Sequence, residues 1–202
     1  MPPPAARPAL RERLRRELGY SQDAVIFLTA ARMHPQKRPL DLVGLARRVS
    51  DLPDLHFLIV GGGELEDEVD RAIAEGTGQI RRLPFRTDIP ELIAACDVGC
   101  LVSDYEGLPV FMLECLQLGV PFLGTDVGDL GSVVRRAGAG WIVDRPGDLA
   151  ALESAARQAS DPEARRRRAE RALAAAPNFG VEACAERYEA VFRGRRVPDV
   201  VF

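Results

Sequence analysis

The chain has 202 residues, 47% hydrophobic and 28% charged, with a formal net charge of −3. That composition fits a folded globular chain with one sizeable core, and it argues against general nucleic-acid binding, which goes with a basic surface. No apolar run reaches membrane-spanning length, and the opening stretch MPPPAARPALRERLRREL has no apolar signal core, so a cytoplasmic location is expected.

In chain order, residues 1–9 read as a disordered Pro-rich tail, followed by a charged helical stretch. Then AVIFLTAA (24–31), LHFLIVG (55–61), QIRRLPF (79–85), DVGCLVS (97–103), VPFLGT (120–125) and GWIVD (140–144) read as six short strands. Most are continuous apolar runs, as strands buried on both faces should be. Helical patterns separate them at roughly 39–50, 64–75, 88–95, 109–118 and 129–136. Strict alternation predicts an α/β fold with a parallel, doubly wound sheet. From about residue 147 three helices follow in succession, with Asp161-Pro162 and Asn178 as helix starts. The domain is expected to end near 194, leaving a tail at 195–202. Cys96, Cys100, Cys115 and Cys184 sit among apolar residues at no zinc-binding spacing, so reduced cysteines and no metal site are expected. The run Arg165–Arg168 alternates with Ala and Glu nearby and reads as a solvated helix face.

Ligands of open α/β sheets bind beyond the carboxyl ends of the strands. Three loops there stand out. VGGGELE, after the second strand, has glycines at the wrong spacing for a dinucleotide fingerprint and reads as a plain tight turn into a helix. ARMHPQKRP, after the first strand, offers Arg32, Lys37 and Arg38, which suit either a diphosphate grip or ordinary solvated charge. His34 in the same loop has no visible partner. SDYEGLPVFMLECLQLGVP, residues 103–121, is an apolar helix carrying Glu114, with Glu106 just before it. Pro109 suits the first helical position, so free N–H groups around Gly107–Phe111 would form an anion site. Glu114 shares a stripe with Val110, Leu113 and Gln117. Buried, it would need hydrogen-bond donors such as a ligand diol; otherwise the stripe is an exposed helix face. These residues alone leave both readings open.

EGLPVFMLE resembles the E-x7-E signature of retaining GT-B glycosyltransferases of the large family 4, the glycosyl transferases group 1. The surrounding text resembles that family in the same order: LRRELGY, AARMHPQKRPLDLVGLARRV, LHFLIVGGGELEDEV, LPFRTDIPELIAACDVGCLVSDYEGLPVFMLECLQLGVPFLGTDVGD, AGAGWIVDRPGDLAAL and NFGVEACAERYEAVFRG. It runs from about residue 10 to residue 194. Ala31, Val102, Gly131 and Ser132 depart from the family's usual glycine, proline, proline and glutamate.

The resemblance implies a single Rossmann-like domain, 10–194, with a six-stranded parallel sheet flanked by helices and followed by C-terminal helices, one half of a GT-B fold. It implies a UDP-, GDP- or ADP-sugar donor and no cofactor. Arg32 and Lys37 would bind the diphosphate, with Gly107, Leu108 and Pro109 at the helix N-terminus. Glu114 would accept from the ribose, Glu106 would face the donor sugar as the catalytic carboxylate, and Pro84, Phe85 and Arg86 would meet the base. It also implies an amino-terminal, acceptor-binding domain that this chain lacks, so that the chain is a fragment or one subunit of a split hexosyltransferase, inactive by itself. The complete enzyme could associate peripherally with a membrane. The alternatives are a non-catalytic nucleotide-sugar module and, more distantly, a sugar-nucleotide epimerase.

Overall fold

The structure, a computed structural model, describes residues 1–76 and 78–197. Six strands, β1 (Val25–Ala30), β2 (Leu55–Val60), β3 (Ile80–Leu83), β4 (Val98–Leu101), β5 (Phe122–Thr125) and β6 (Gly140–Val143), form one sheet in the order 3-2-1-4-5-6. Every neighbouring pair is parallel. The helices are α1 (Arg7–Leu18), α2 (Pro39–Arg48), α3 (Glu66–Ala74), α4 (Ile89–Ala95), α5 (Val110–Gln117), α6 (Leu130–Ala137), α7 (Leu149–Ser160), α8 (Pro162–Ala175) and α9 (Val181–Phe192).

The continuous apolar strands follow from a core on each face of the sheet. In β1, Ile26 and Leu28 pack with α1, α4 and α5 on one side. Val25 and Phe27 pack with α2 and α7 on the other. The chain runs outward from β1 to β2 and β3, then returns to β4 on the opposite flank of β1. The loops after β1 and β4 therefore face each other at the point where strand order reverses, which is where open α/β sheets bind ligands.

Three boundaries differ from the sequence expectation. Residues 7–9, assigned to a disordered tail, form the first turn of α1. Pro8 is tolerated there because a first-turn N–H needs no helical partner. The Arg7 guanidinium donates to the carbonyls of Ala94 (3.2 Å) and Leu118 (3.1 Å), at the C-terminal ends of α4 and α5, where a cation complements the helix dipole. Pro109 is the N-cap of α5 rather than its first residue: its ψ is 122°, and its carbonyl accepts the first helical bond from Leu113 N–H. Asn178 does not start α9. It lies in a short 3-10 turn and donates to Ala175 O, and Gly180 occupies the cap. Asp161 does cap α8, accepting from the N–H groups of Glu163 and Ala164. Of the expected C-terminal tail, 195–197 are in no helix or strand and 198–202 lie outside the described residues.

Candidate active site at the sheet reversal

The loop after β1 is built to hold a fixed shape. His34 Nδ1 accepts from Gln36 N–H and caps a one-turn 3-10 helix, Pro35–Lys37, so this histidine has a structural job. Arg38 follows at φ 49°, the one non-glycine residue with positive φ among those described. Its guanidinium donates to Asp41 (2.7 Å) and, across to the loop after β4, to Asp104 (2.9 Å). Two further bonds join these loops: Asp104 N–H to Gln36 O, and Gln36 Nε2 to Tyr105 O, both 2.8 Å.

This clasp brings Lys37 onto Glu106. Lys37 Nζ lies 2.5 Å from Glu106 Oε1, and Ser103 Oγ donates to the same oxygen at 2.6 Å. The two charged side chains are only 17% and 8% exposed. A cation and a carboxylate with separate expected jobs are thus one pair in the unliganded protein.

The glycine triplet after β2 is more than a tight turn. Gly61 and Gly63 have φ of 136° and 152°, and a Cβ on either would lie 2.2 Å from Ala31 O or 2.6 Å from Met33 O. Only glycine lets the two loops approach this closely. The loop after β5 does the same from the other side. A Cβ on Gly128 would stand 1.9 Å from Glu106 O, and Asp129 N–H donates to Gly107 O.

Between the loops after β1, β2 and β3 and helix α5 lies a cavity of about 420 Å³ lined by Arg32, Gly62, Phe85, Arg86, Phe111 and Glu114, among others. The Arg32 side chain is exposed and its guanidinium has no hydrogen-bond or ion-pair partner among the described residues. The Glu114 carboxylate likewise has none, and burial pushes its pKa above the usual carboxylate range. Phe85 and Val110 at the rim are 79% and 68% exposed, large apolar surfaces for an unliganded protein to show. Arg86 is committed to Asp88 and Glu17, which raise its already high pKa.

The structure therefore gathers Arg32, Phe85, Arg86 and Glu114 around one cavity, and Lys37 with Glu106 in the adjoining loops. Pro84 does not line the cavity. Gly107 is exposed, and Leu108 lines a different groove of about 500 Å³ between α6 and α9. That groove is larger, but it is lined mainly by α6, α9 and the segment before α9, with no residue from the loop after β1. Ser103, Asp104 and Gly128 were not singled out from sequence. Ser103 alone left a trace there, as a polar residue closing an apolar run. Cys96, Cys100 and Cys115 are buried, and burial pushes each thiol up, to about 12 for Cys100, so none is a ready nucleophile.

The fold matches that of GT-B glycosyltransferase domains. The chain belongs to the family described as glycosyl transferases group 1, whose model matches residues 11–174. It is 29% identical over 133 residues to the UDP-Gal:alpha-D-GlcNAc-diphosphoundecaprenol alpha-1,3-galactosyltransferase of Escherichia coli, covering 63% of this chain and 34% of that protein. It is 33% identical over 161 residues to the D-inositol 3-phosphate glycosyltransferase of Geodermatophilus obscurus, covering 71% and 36%. Among solved structures, Anabaena HepE in complex with UDP superposes with a TM-score of 0.82 at 23% identity, covering 93% of this chain and 53% of HepE. The chain thus spans half or less of the length of these curated relatives, about a third to a half in most of them.

Proposed function

We propose that this chain is the nucleotide-sugar-binding half of a retaining hexosyltransferase whose acceptor is held by another domain. The observation that carries the reading is the pairing of Arg32 with Glu114 in one cavity at the sheet reversal: a cation and a carboxylate, neither with a protein partner among the described residues. A nucleoside diphosphate supplies what each lacks. Its phosphates would accept from the Arg32 guanidinium, and its ribose hydroxyls would donate to Glu114. Lys37, close by in the same loop, would add a second cation, and the N-terminus of α5 a partial positive charge. Phe85 and Val110 would be covered by the base. Glu106 would then face the sugar. HepE is described in complex with UDP-glucose as well as UDP, which supports a nucleotide-sugar donor for a domain of this shape.

The experiment is a thermal-shift screen against UDP, GDP and ADP and their hexose esters, followed by calorimetry on whatever binds. Binding that weakens in both Arg32→Ala and Glu114→Gln supports the reading. Failure of every nucleotide to bind, or binding indifferent to both substitutions, overturns it.

A further inference from the structure

Five polar or charged residues are buried as whole residues among those described, Arg15, Thr29, Gln79, Ser103 and Thr125, and three of them converge on the carboxyl end of β4. Thr29 Oγ1 donates to Cys100 O at 2.8 Å. Thr125 Oγ1 donates to Ser103 O at 2.7 Å. The strand ladder ends at Leu101, so side chains take over where backbone pairing stops. Ser103 itself, with no exposed surface, donates its hydroxyl to Glu106 Oε1. Gly128 packs closely against the Glu106 carbonyl.

We propose that Ser103 is a positioning residue that fixes the Glu106 carboxylate and reserves Oε2 for the hexose of the donor. The inference rests on the donor-site reading above. Both protein donors to this carboxylate, Ser103 and Lys37, use Oε1, and no described residue bonds Oε2. The two donors differ in what they can do next. Lys37 is partly solvated and carries a flexible ammonium, free to extend toward a phosphate oxygen. The Ser103 hydroxyl is enclosed and has Glu106 as its one hydrogen-bond partner among the described residues, so it holds the carboxylate in place when Lys37 turns to the diphosphate. A carboxylate held by one oxygen offers the other, lone pairs free, to a sugar hydroxyl.

The test compares two affinities by calorimetry on this chain: a nucleoside diphosphate and its hexose ester, taken from UDP, GDP and ADP as the screen selects. In Ser103→Ala the affinity for the diphosphate itself is expected to stay within about two-fold, while the gain from the hexose falls by about ten-fold, the scale of a hydrogen bond to a charged group. Ser103→Thr, which keeps a hydroxyl, is expected to restore that gain. Glu106→Gln should reduce it by at least as much, and adding Ser103→Ala to Glu106→Gln should lower neither the remaining gain nor the diphosphate affinity further, because a residue that acts through its neighbour is non-additive with it. Additive losses in the double variant, or equal losses for diphosphate and ester, would mean Ser103 is merely structural. A hexose that contributes no affinity in the parent also overturns the inference while sparing the donor site. If no nucleotide binds at all, the donor-site reading falls and this inference falls with it. Thermal melts of each variant confirm that the fold is intact.

Discussion

Arg32 and Lys37 carry the same charge on the same loop, yet they stand in opposite electrostatic situations. Arg32 waits in solvent, so deleting it should cost the unliganded fold almost nothing. Lys37 neutralises a carboxylate that is 8% exposed. Losing one partner of a fully buried pair costs about 3–5 kcal/mol; here the lysine end is partly solvated, so a cost on the order of 2 kcal/mol is expected. Lys37→Ala should therefore melt about 4–8 °C below the parent in calorimetry, and Arg32→Ala within about a degree of it. Both should weaken nucleoside-diphosphate binding, by about 1.5–3 kcal/mol each if their bonds to phosphate are well formed. Equal melting points for the two variants would contradict the pairing. Glu114 gives a pH signature. Burial raises its carboxyl pKa in the folded chain, with no partner to offset it. Between the ordinary carboxylate range and the raised value, the folded state binds more protons than the unfolded one. Stability therefore falls as pH rises through that window and stays lower above it. Glu114→Gln removes the penalty. The unliganded variant should melt higher than the parent at pH 7, with the gap closing near about pH 4, where the parent's carboxyl also takes up a proton. The same variant should bind nucleotide more weakly, a gain in stability against a loss of function. Melts at the two pH values, with and without nucleotide, check both halves.

At the scale of elements, the site is four loops pressed together in pairs by glycines. Gly128 has φ 53° and would place a Cβ 1.9 Å from Glu106 O, whereas a Cβ on Gly107 would meet nothing within 4 Å. Gly128→Ala is expected to destabilise by about 2–4 kcal/mol, combining left-handed strain with a backbone clash, while Gly107→Ala should stay within about 0.5 kcal/mol. Urea titrations of the two would separate a seated loop from a loose one. This contrast also marks what a sequence can disclose. The six strands were legible because burial on both faces leaves an unbroken apolar run, and the helices between them because one face is apolar at helical spacing. Asp161 was legible because its capping bonds reach only two and three residues ahead. What escaped depends on contacts distant in the chain. Arg7 joins a helix because it caps carbonyls 87 and 111 residues away. Lys37 meets Glu106 across 69 positions, so the spacing of the two glutamates revealed both carboxylates but not that one was already paired. The glycine triplet read as a plain turn because its partners, Ala31 and Met33, lie on another strand's loop.

At the scale of the whole molecule, the cavity is open. Its rim leaves Phe85 and Val110 mostly exposed, and beyond it α9 shows Tyr188 and Phe192 at 62% and 84% exposure. Glycosyl transfer needs an acceptor hydroxyl aligned on the sugar and water kept from the same carbon. The described residues that line the cavity belong to the ends of β1 and β2, the loop after β3, α4 and α5, and they leave its mouth open. The expectation is that the 202-residue chain binds a sugar nucleotide without transferring the sugar. With contacts from one side only, affinity should be weak, on the order of 0.1–1 mM, or about 4–5.5 kcal/mol. Closure by a second domain would supply the missing contacts and exclude water in one movement. Incubating the purified chain with a donor it binds and a panel of acceptors should give no glycosylated product and, at most, slow hydrolysis of the donor, followed by mass spectrometry. Adding a partner domain that restores transfer would place the acceptor site there, and Glu106→Gln should then abolish the restored activity while nucleoside-diphosphate binding persists. Robust transfer by this chain alone would instead require that an acceptor be aligned and water excluded by residues of the open face itself.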